Sequence, residues 1–126
     1  IRRASAAILA DLAQSLAGLD LKITEASVMI LIEERPDATQ SDLGRMLGIQ
    51  RANMAPLAAT LTERGLIERT RADGRSQGLR LTDRGSDLVE AVRGRIIEHD
   101  ARMLPVTDKE RAVLRRVLAR VWSEES

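Results

Sequence analysis

Between Gln40 and Arg75 the chain concentrates side chains able to hold an anionic polymer and read its bases. Arg51, Arg69, Arg71 and Arg75 carry planar guanidinium groups suited to two-point contacts with phosphate or guanine. Asn53 offers the adjacent donor and acceptor that match adenine. Gln40, Ser41 and Gln50 stand near expected helix starts, where hydroxyl and amide groups bond phosphate oxygens. Each has a plain alternative. Arg51 and Asn53 can be solvated or touch phosphate only, Ser41 can be a simple cap, and Arg69 and Arg71 can lie on a solvated strand face. Arg75 can be an ordinary loop arginine. Charge favours the first reading: the total is +1, but residues 1–39 carry −2, residues 40–82 carry +3 and residues 83–126 are neutral. Only Lys22 and Lys109 are lysines. Arginine usage of this kind also follows from a genome rich in G and C, so it decides nothing alone.

The elements that must position these groups can be read from residues 41 to 82. Leu43, Met46 and Leu47 repeat at helical spacing, and so do Met54, Leu57 and Leu61, with Gly48 between the two sets. Two short amphipathic helices around a glycine-containing turn form the helix-turn-helix pattern, whose second helix suits the major groove. LIERT and LRLT then flank the loop ADGRSQG, predicting a β-hairpin, which at this place is a wing. Asp73 and Gly74 are expected to support its turn, with Asp73 orienting Arg75 or a neighbouring arginine. Pro56 interrupts the second helix. A proline inside a helix removes one hydrogen bond at a cost of about 3 kcal/mol, so that helix either starts later, capped by Asn53, or is kinked.

This stretch resembles the winged helix-turn-helix of the MarR family of transcriptional regulators. The resemblance rests on LxxxLG at Leu43–Gly48, LxxRGLIER at Leu61–Arg69 and DGRSQGLRLTDRG at Asp73–Gly85. It implies a mainly α fold with a small β-hairpin wing: a winged helix-turn-helix plus terminal dimerisation helices. The chain would be a single domain, 1–126, with a DNA-binding lobe at 38–82 and dimerisation helices at 1–22 and 83–126. The implied function is cytoplasmic, non-enzymatic transcriptional regulation, as a repressor. The partners would be duplex DNA with a pseudo-palindromic operator, a second copy of the chain in a homodimer, and a small-molecule effector that no residue identifies. Arg75 would insert into the minor groove, where narrow A·T segments attract arginine. Pro56 departs from the family pattern, which commonly has a polar or basic residue there. It motivates an alternative, a helical adaptor that keeps the winged fold without reading an operator.

The rest of the chain is read from the same rules. With 126 residues, 44% of them apolar, there is enough material for one core, and Trp122 as the only aromatic makes that core aliphatic. A helix is expected over residues 3–17 with the stripe Ile8, Leu9, Leu12 and Leu16, stopped by Gly18. Its basic, then apolar start has a faint leader-like look, but Asp11 and Gln14 favour an amphipathic helix. The chain does not open with Met, so residues are expected to precede it. Thr24 is expected to cap a second helix whose run Val28–Ile32 is apolar on all sides and therefore central. Pro36 ends it, and 37–39 form a link able to pair with the wing. Thr39 or Ser41 caps the next helix and Gln50 the one after. Thr82 caps a long helix with Leu88, Val89, Val92, Ile96 and Ile97 on one face, ending before Pro105. Thr107 and Glu110 form a capping box for a last helix with Val113, Leu114, Val117, Leu118 and Val121 on one face. Trp122 is expected at the edge of the helical interface.

Several function classes find no support. Without cysteine there is no disulfide, thiol switch or zinc–thiolate site. No apolar run approaches the roughly 20 residues of a membrane span. His99 is the only histidine, and Glu98 and Asp100 beside it point in other directions on a helix, so it is read as a solvated helix residue and not as a metal ligand. No nucleophile–base or paired-carboxylate arrangement is present in the sequence, and no cofactor or metal is expected.

Overall fold

The computed structural model describes residues 1–71 and 77–122, with Trp122 by its backbone alone. The expectations for Asp73, Gly74 and Arg75, and for the Trp122 side chain, lie outside the described residues. Within them the order is α1 (Arg2–Ala17), α2 (Ile23–Glu34), α3 (Gln40–Leu47), α4 (Arg51–Glu63), β1 (Ile67–Arg71), β2 (Gln77–Leu81), α5 (Asp83–Met103) and α6 (Asp108–Trp122). The strands pair antiparallel, with Ile67 opposite Leu81, Arg69 opposite Leu79 and Arg71 opposite Gln77. This is the mainly helical winged architecture expected from the sequence.

The uniformly apolar α2 is central. It packs against α1, α3, α5 and β2, and Val28, Met29 and Ile32 are fully buried. Around it close Leu16 of α1, Leu43 of α3, Met54, Ala58 and Leu61 of α4, Leu79 of β2, and Val89 and Val92 of α5. The core is aliphatic throughout. None of the described helices is long and apolar enough to cross a membrane.

Helix boundaries follow local hydrogen bonding. Thr39, not Ser41, caps α3: its hydroxyl accepts from the Asp42 amide at 3.1 Å while Asp42 accepts from the Thr39 amide at 3.3 Å. The expected box at α6 is present, Thr107 N–H to Glu110 at 3.0 Å and Glu110 N–H to the Thr107 hydroxyl at 3.2 Å. One expectation needs correction. Thr24 is not the cap of α2. The helix opens at Ile23 because Glu25, at its third position, accepts the Lys22 amide at 2.8 Å, which draws the start toward Lys22. Gly18 ends α1 as expected, in a right-handed conformation (φ −63°) where a side chain would meet only ordinary contacts.

Pro56 neither delays nor divides α4. The helix runs from Arg51 through Glu63, and the Asn53 and Met54 amides both bond the Gln50 carbonyl at 2.9 Å. Gln50 therefore precedes the helix as expected, although its side chain makes no capping bond. Asn53 is inside the helix and not its cap. Pro56 leaves the Ala52 carbonyl without its usual amide partner, and both residues are exposed, so water can satisfy that carbonyl.

His99 is not on a solvated face. It is 3% exposed, with Nδ1 2.7 Å from an Asp11 oxygen. Arg102 holds the same carboxylate, its Nη2 donating at 2.6 Å. The cluster fastens α1 to the far end of α5. Ile97, expected on the apolar stripe beside Ile96, is instead 69% exposed, because adjacent helical positions diverge.

The near end of α5 is fastened differently. The Thr82 hydroxyl accepts the Gly85 amide at 3.0 Å and donates to the Gly65 carbonyl at 2.6 Å. A Cβ on Gly85 would stand 2.0 Å from the Leu66 carbonyl oxygen, so only glycine permits this approach. Gly94 in the same helix has nothing within 4 Å of such a Cβ. The better helix propensity of alanine is worth about 1 kcal/mol, and it decides the outcome at Gly94 alone. In urea unfolding, Gly94→Ala should stabilise the chain by about 1 kcal/mol, whereas Gly85→Ala should destabilise it by about 3 kcal/mol as a backbone clash with no escape.

A second test uses Asp11. Arg102, and then His99, hold its carboxyl below the ordinary value of 3.8. A carboxylate depressed in this way contributes stability that is complete above its unfolded pKa and is lost as pH falls through the folded one. The stability difference between wild type and Asp11→Asn should therefore be full at neutral pH and shrink as pH falls below the ordinary carboxyl value of 3.8 and through the lowered folded one. A difference that stays constant across that range in denaturant titrations would contradict this account.

Candidate nucleic-acid interface

The surface that gathers the polar side chains singled out above is built on α3 and α4. Gly48 ends α3 in a left-handed turn. The chain then returns as α4, and the two helices enclose an open groove of about 600 Å³. Gln40, Ser41 and Arg51 line it together, joined by Arg45. Gln40 and Ser41 occupy the first turn of α3, where backbone amides have no partner within the helix and the dipole is positive. Arg45 was not singled out in the sequence. It lies one turn beyond Ser41, and that helical spacing is the only signal that points to it. It pairs with Asp42 on the exposed surface.

The wing continues this surface. Side chains alternate along β1, so Ile67, Arg69 and Arg71 share one side and Glu68 and Thr70 the other. Ile67 is buried and the two arginines beyond it are exposed. Arg69 reaches α3 and donates from Nη2 to the Gln40 side-chain oxygen at 3.2 Å. Arg69 and Gln40, both candidates, are thus brought into direct contact. Arg71 stands at the end of β1, opposite Gln77. Gln50 and Asn53 are exposed around the start of α4 but do not line the groove.

What fixes the wing against the helices is Asp37, which was read only as part of a link. It adopts a left-handed conformation (φ 69°) just after Pro36. Its Oδ1 accepts from the Thr70 hydroxyl at 2.8 Å and from Arg80 Nε at 2.8 Å, and its Oδ2 accepts from Arg80 Nη2 at 2.7 Å. Arg80, and then Thr70, hold the Asp37 carboxyl below its ordinary value, and Asp37 raises Arg80 in turn. The backbone adds Asp37 N–H to the Leu79 carbonyl at 3.1 Å and Leu79 N–H to the Ala38 carbonyl at 3.0 Å. Thr39 bridges Gly78, so the expected pairing of this link with the wing is present. A Cβ on Gly78 would lie 2.5 Å from the Asp37 carbonyl oxygen, so the crossing requires glycine. No sequence spacing announces Asp37 and Arg80 as partners 43 positions apart. Arg80 is consequently committed within the fold, while Arg51 and Arg71 remain exposed. Chemically, the surface offers spread cations, amide donors at a helix start and an adjoining pair of strands, which suits an extended anionic ligand.

Comparison with known proteins agrees with this geometry. Residues 19–76 match the model of the MarR family. No curated protein sequence matches the chain. Among solved structures, the transcriptional repressor CouR bound to a 23-mer DNA duplex is 29% identical, with 95% of this chain and 87% of that one covered and a TM-score of 0.86. A probable transcriptional regulator from Pseudomonas aeruginosa is 28% identical over 95% of this chain and 92% of that one, with a TM-score of 0.83. The PcaV transcriptional regulator from Streptomyces coelicolor, in complex with its natural ligand, is 25% identical over 90% and 85%, with a TM-score of 0.75. With its motifs, its wing and its helix order in agreement, residues 19–76 match the MarR family, and over most of its length the chain is similar in fold to solved winged helix-turn-helix transcriptional regulators.

Proposed function

We propose that this regulator is a homodimeric repressor that binds a pseudo-palindromic operator in duplex DNA. The observation that carries the reading is the continuous surface from the α3–α4 groove, through the Arg69–Gln40 contact, to Arg71 on the wing. The similarity to a repressor bound to a DNA duplex supports the same ligand. Gln40 and Ser41 bond phosphate at the start of α3. Gln50, Arg51 and Asn53 face the major groove from the start of α4, with Arg51 suited to guanine or phosphate and Asn53 to adenine. Arg69 and Arg71 hold phosphates beside the wing, and Arg75 at its tip enters the minor groove, supported by Asp73 and Gly74.

The DNA-binding lobe is residues 38–82. Residues 1–22 and 83–126 make the dimer, which sets two copies of α4 about one DNA turn apart, ~34–36 Å. In support, α6 leaves Val113, Leu114, Val117, Leu118 and Val121 exposed along one face, an apolar stripe that one copy of the chain does not cover. Release by a small-molecule effector is supported by the ligand-bound PcaV relative. We infer a cytoplasmic location from the same reading, because the operator it would bind is chromosomal.

Two experiments test the reading. Selection from a random duplex pool should enrich an imperfect palindrome. Binding to it should weaken steeply with salt, with a slope of about −0.9 for each phosphate neutralised, and Arg71→Ala should flatten the slope by about 1.8 for the two copies in a dimer. Weak binding that is indifferent to salt would instead favour an adaptor without operator recognition. For the dimer, Val117→Asp should convert a sedimenting dimer to monomer and cut operator affinity at least tenfold, about 1.4 kcal/mol. An unchanged sedimentation profile would remove α6 from the interface.

A further inference from the structure

The outward face of α4 poses a chemical question that the arginines around it do not answer. Met54, Ala58 and Leu61 face the core. On the opposite side the 3.6-residue period lines up Ala52, Pro56 and Ala59 and then Glu63, with Ala55 flanking, and all five are exposed. For its first two and a half turns this stripe carries no side chain that can donate or accept a hydrogen bond. Polar groups lie only beside it, at Asn53 and Thr60, while the Thr62 hydroxyl is already bonded to the Ala58 carbonyl at 2.8 Å.

We propose that α4 reads pyrimidine C5-methyl groups, which in unmodified DNA are those of thymine, through Ala52, Ala55, Pro56 and Ala59. The inference rests on the DNA-binding reading above and specifies which bases it recognises. A helix is about 10–12 Å across with its side chains, and the major groove is about 12 Å wide. Small side chains on the leading face let the helix axis sit deeper than long ones do. Once there, they meet base edges without offering hydrogen bonds. Guanine and cytosine edges placed against them lose water and gain no partner from these side chains, which is unfavourable. The thymine methyl is the one apolar group on the major-groove edge, and alanine is among the side chains suited to it. Asn53, next to Ala52, adds the adenine-type donor and acceptor, so both features select A·T pairs. Pro56 belongs to this scheme: at an exposed position its ring supplies apolar surface where a polar side chain would hydrogen-bond.

The test starts from the operator selected with the full chain. Each enriched thymidine is replaced singly by deoxyuridine, which keeps every hydrogen-bonding group and lacks only the methyl. Burial of one methyl group is worth about fourfold in affinity, so a loss of about that size is expected at the positions under α4 in each half-site. The source of the methyl is resolved by placing 5-methylcytosine against cytosine at those positions: the methylated base should bind more tightly. Ala52→Gly should shrink the deoxyuridine effect at one position per half-site, and circular dichroism shows whether that variant keeps its helices. An enriched, salt-sensitive operator indifferent to deoxyuridine would overturn this inference and leave the DNA-binding reading standing. A deoxyuridine effect unchanged in both Ala52→Gly and Ala55→Gly would overturn the assignment to α4. No enriched sequence, with salt-insensitive binding, would overturn both readings.

Discussion

The clasp between Asp37 and Arg80 governs the placement of everything else on the DNA-facing surface. A two-stranded hairpin has little stability of its own in water, and β1 and β2 form only that. Their position comes from the carboxylate of Asp37, which grips Arg80 with both oxygens and Thr70 with one. The charge-assisted fork fixes direction as well as proximity, because a guanidinium and a carboxylate meet in one plane. The short pairing of the link with β2 runs alongside it, so the wing behaves as an extension of the helical body.

The base of the wing is constrained as tightly as its middle. The Thr82 amide bonds the Leu66 carbonyl at 3.1 Å while its hydroxyl reaches Gly65, so one residue ties the end of α4, the start of β1 and the start of α5. The same carbonyl lies where a side chain on Gly85 would have to be. Here the LTDRG run has a physical meaning: threonine as cap and clasp, aspartate in the first turn, and glycine for contact. The three residues are local in sequence, which is why they could be recognised there.

Locality also separates what the sequence disclosed from what it did not. The central α2, the caps at Thr39, Thr82 and Thr107, the hairpin and the helix-turn-helix follow from periodicity and from hydrogen bonds spanning three or four residues. Asp37 and His99 did not, because their roles depend on partners that only the fold supplies. Asp11 lies 88 positions from His99, and neither residue stands out within its own helix. Flanking acids suggested a solvated helix turn at His99, yet helix geometry sends Glu98 and Asp100 elsewhere and turns the imidazole inward. The start of α2 was misplaced for a smaller reason: Thr24 competes with Lys22 as a cap, and the carboxylate of Glu25 decides between them. At the interface, residue types could be named, but not which cations the fold commits internally. Arg80 and Arg71 look alike in sequence and differ entirely in engagement.

The length of α5 has a geometric consequence. Its 21 residues make a rod of about 32 Å. One end rests with its Gly85 backbone against Leu66 at the foot of the wing, and the other carries His99 and Arg102 onto Asp11 of α1. A rod pinned so closely at one end converts angle into travel. A tilt of about 5° about Gly85 moves Met103, about 27 Å away, through on the order of 2 Å. That distance exceeds what the Asp11 hydrogen bonds can stretch. The cluster at the far end therefore acts as a protractor: while its bonds remain intact, the angle between α5 and the wing is held to a few degrees.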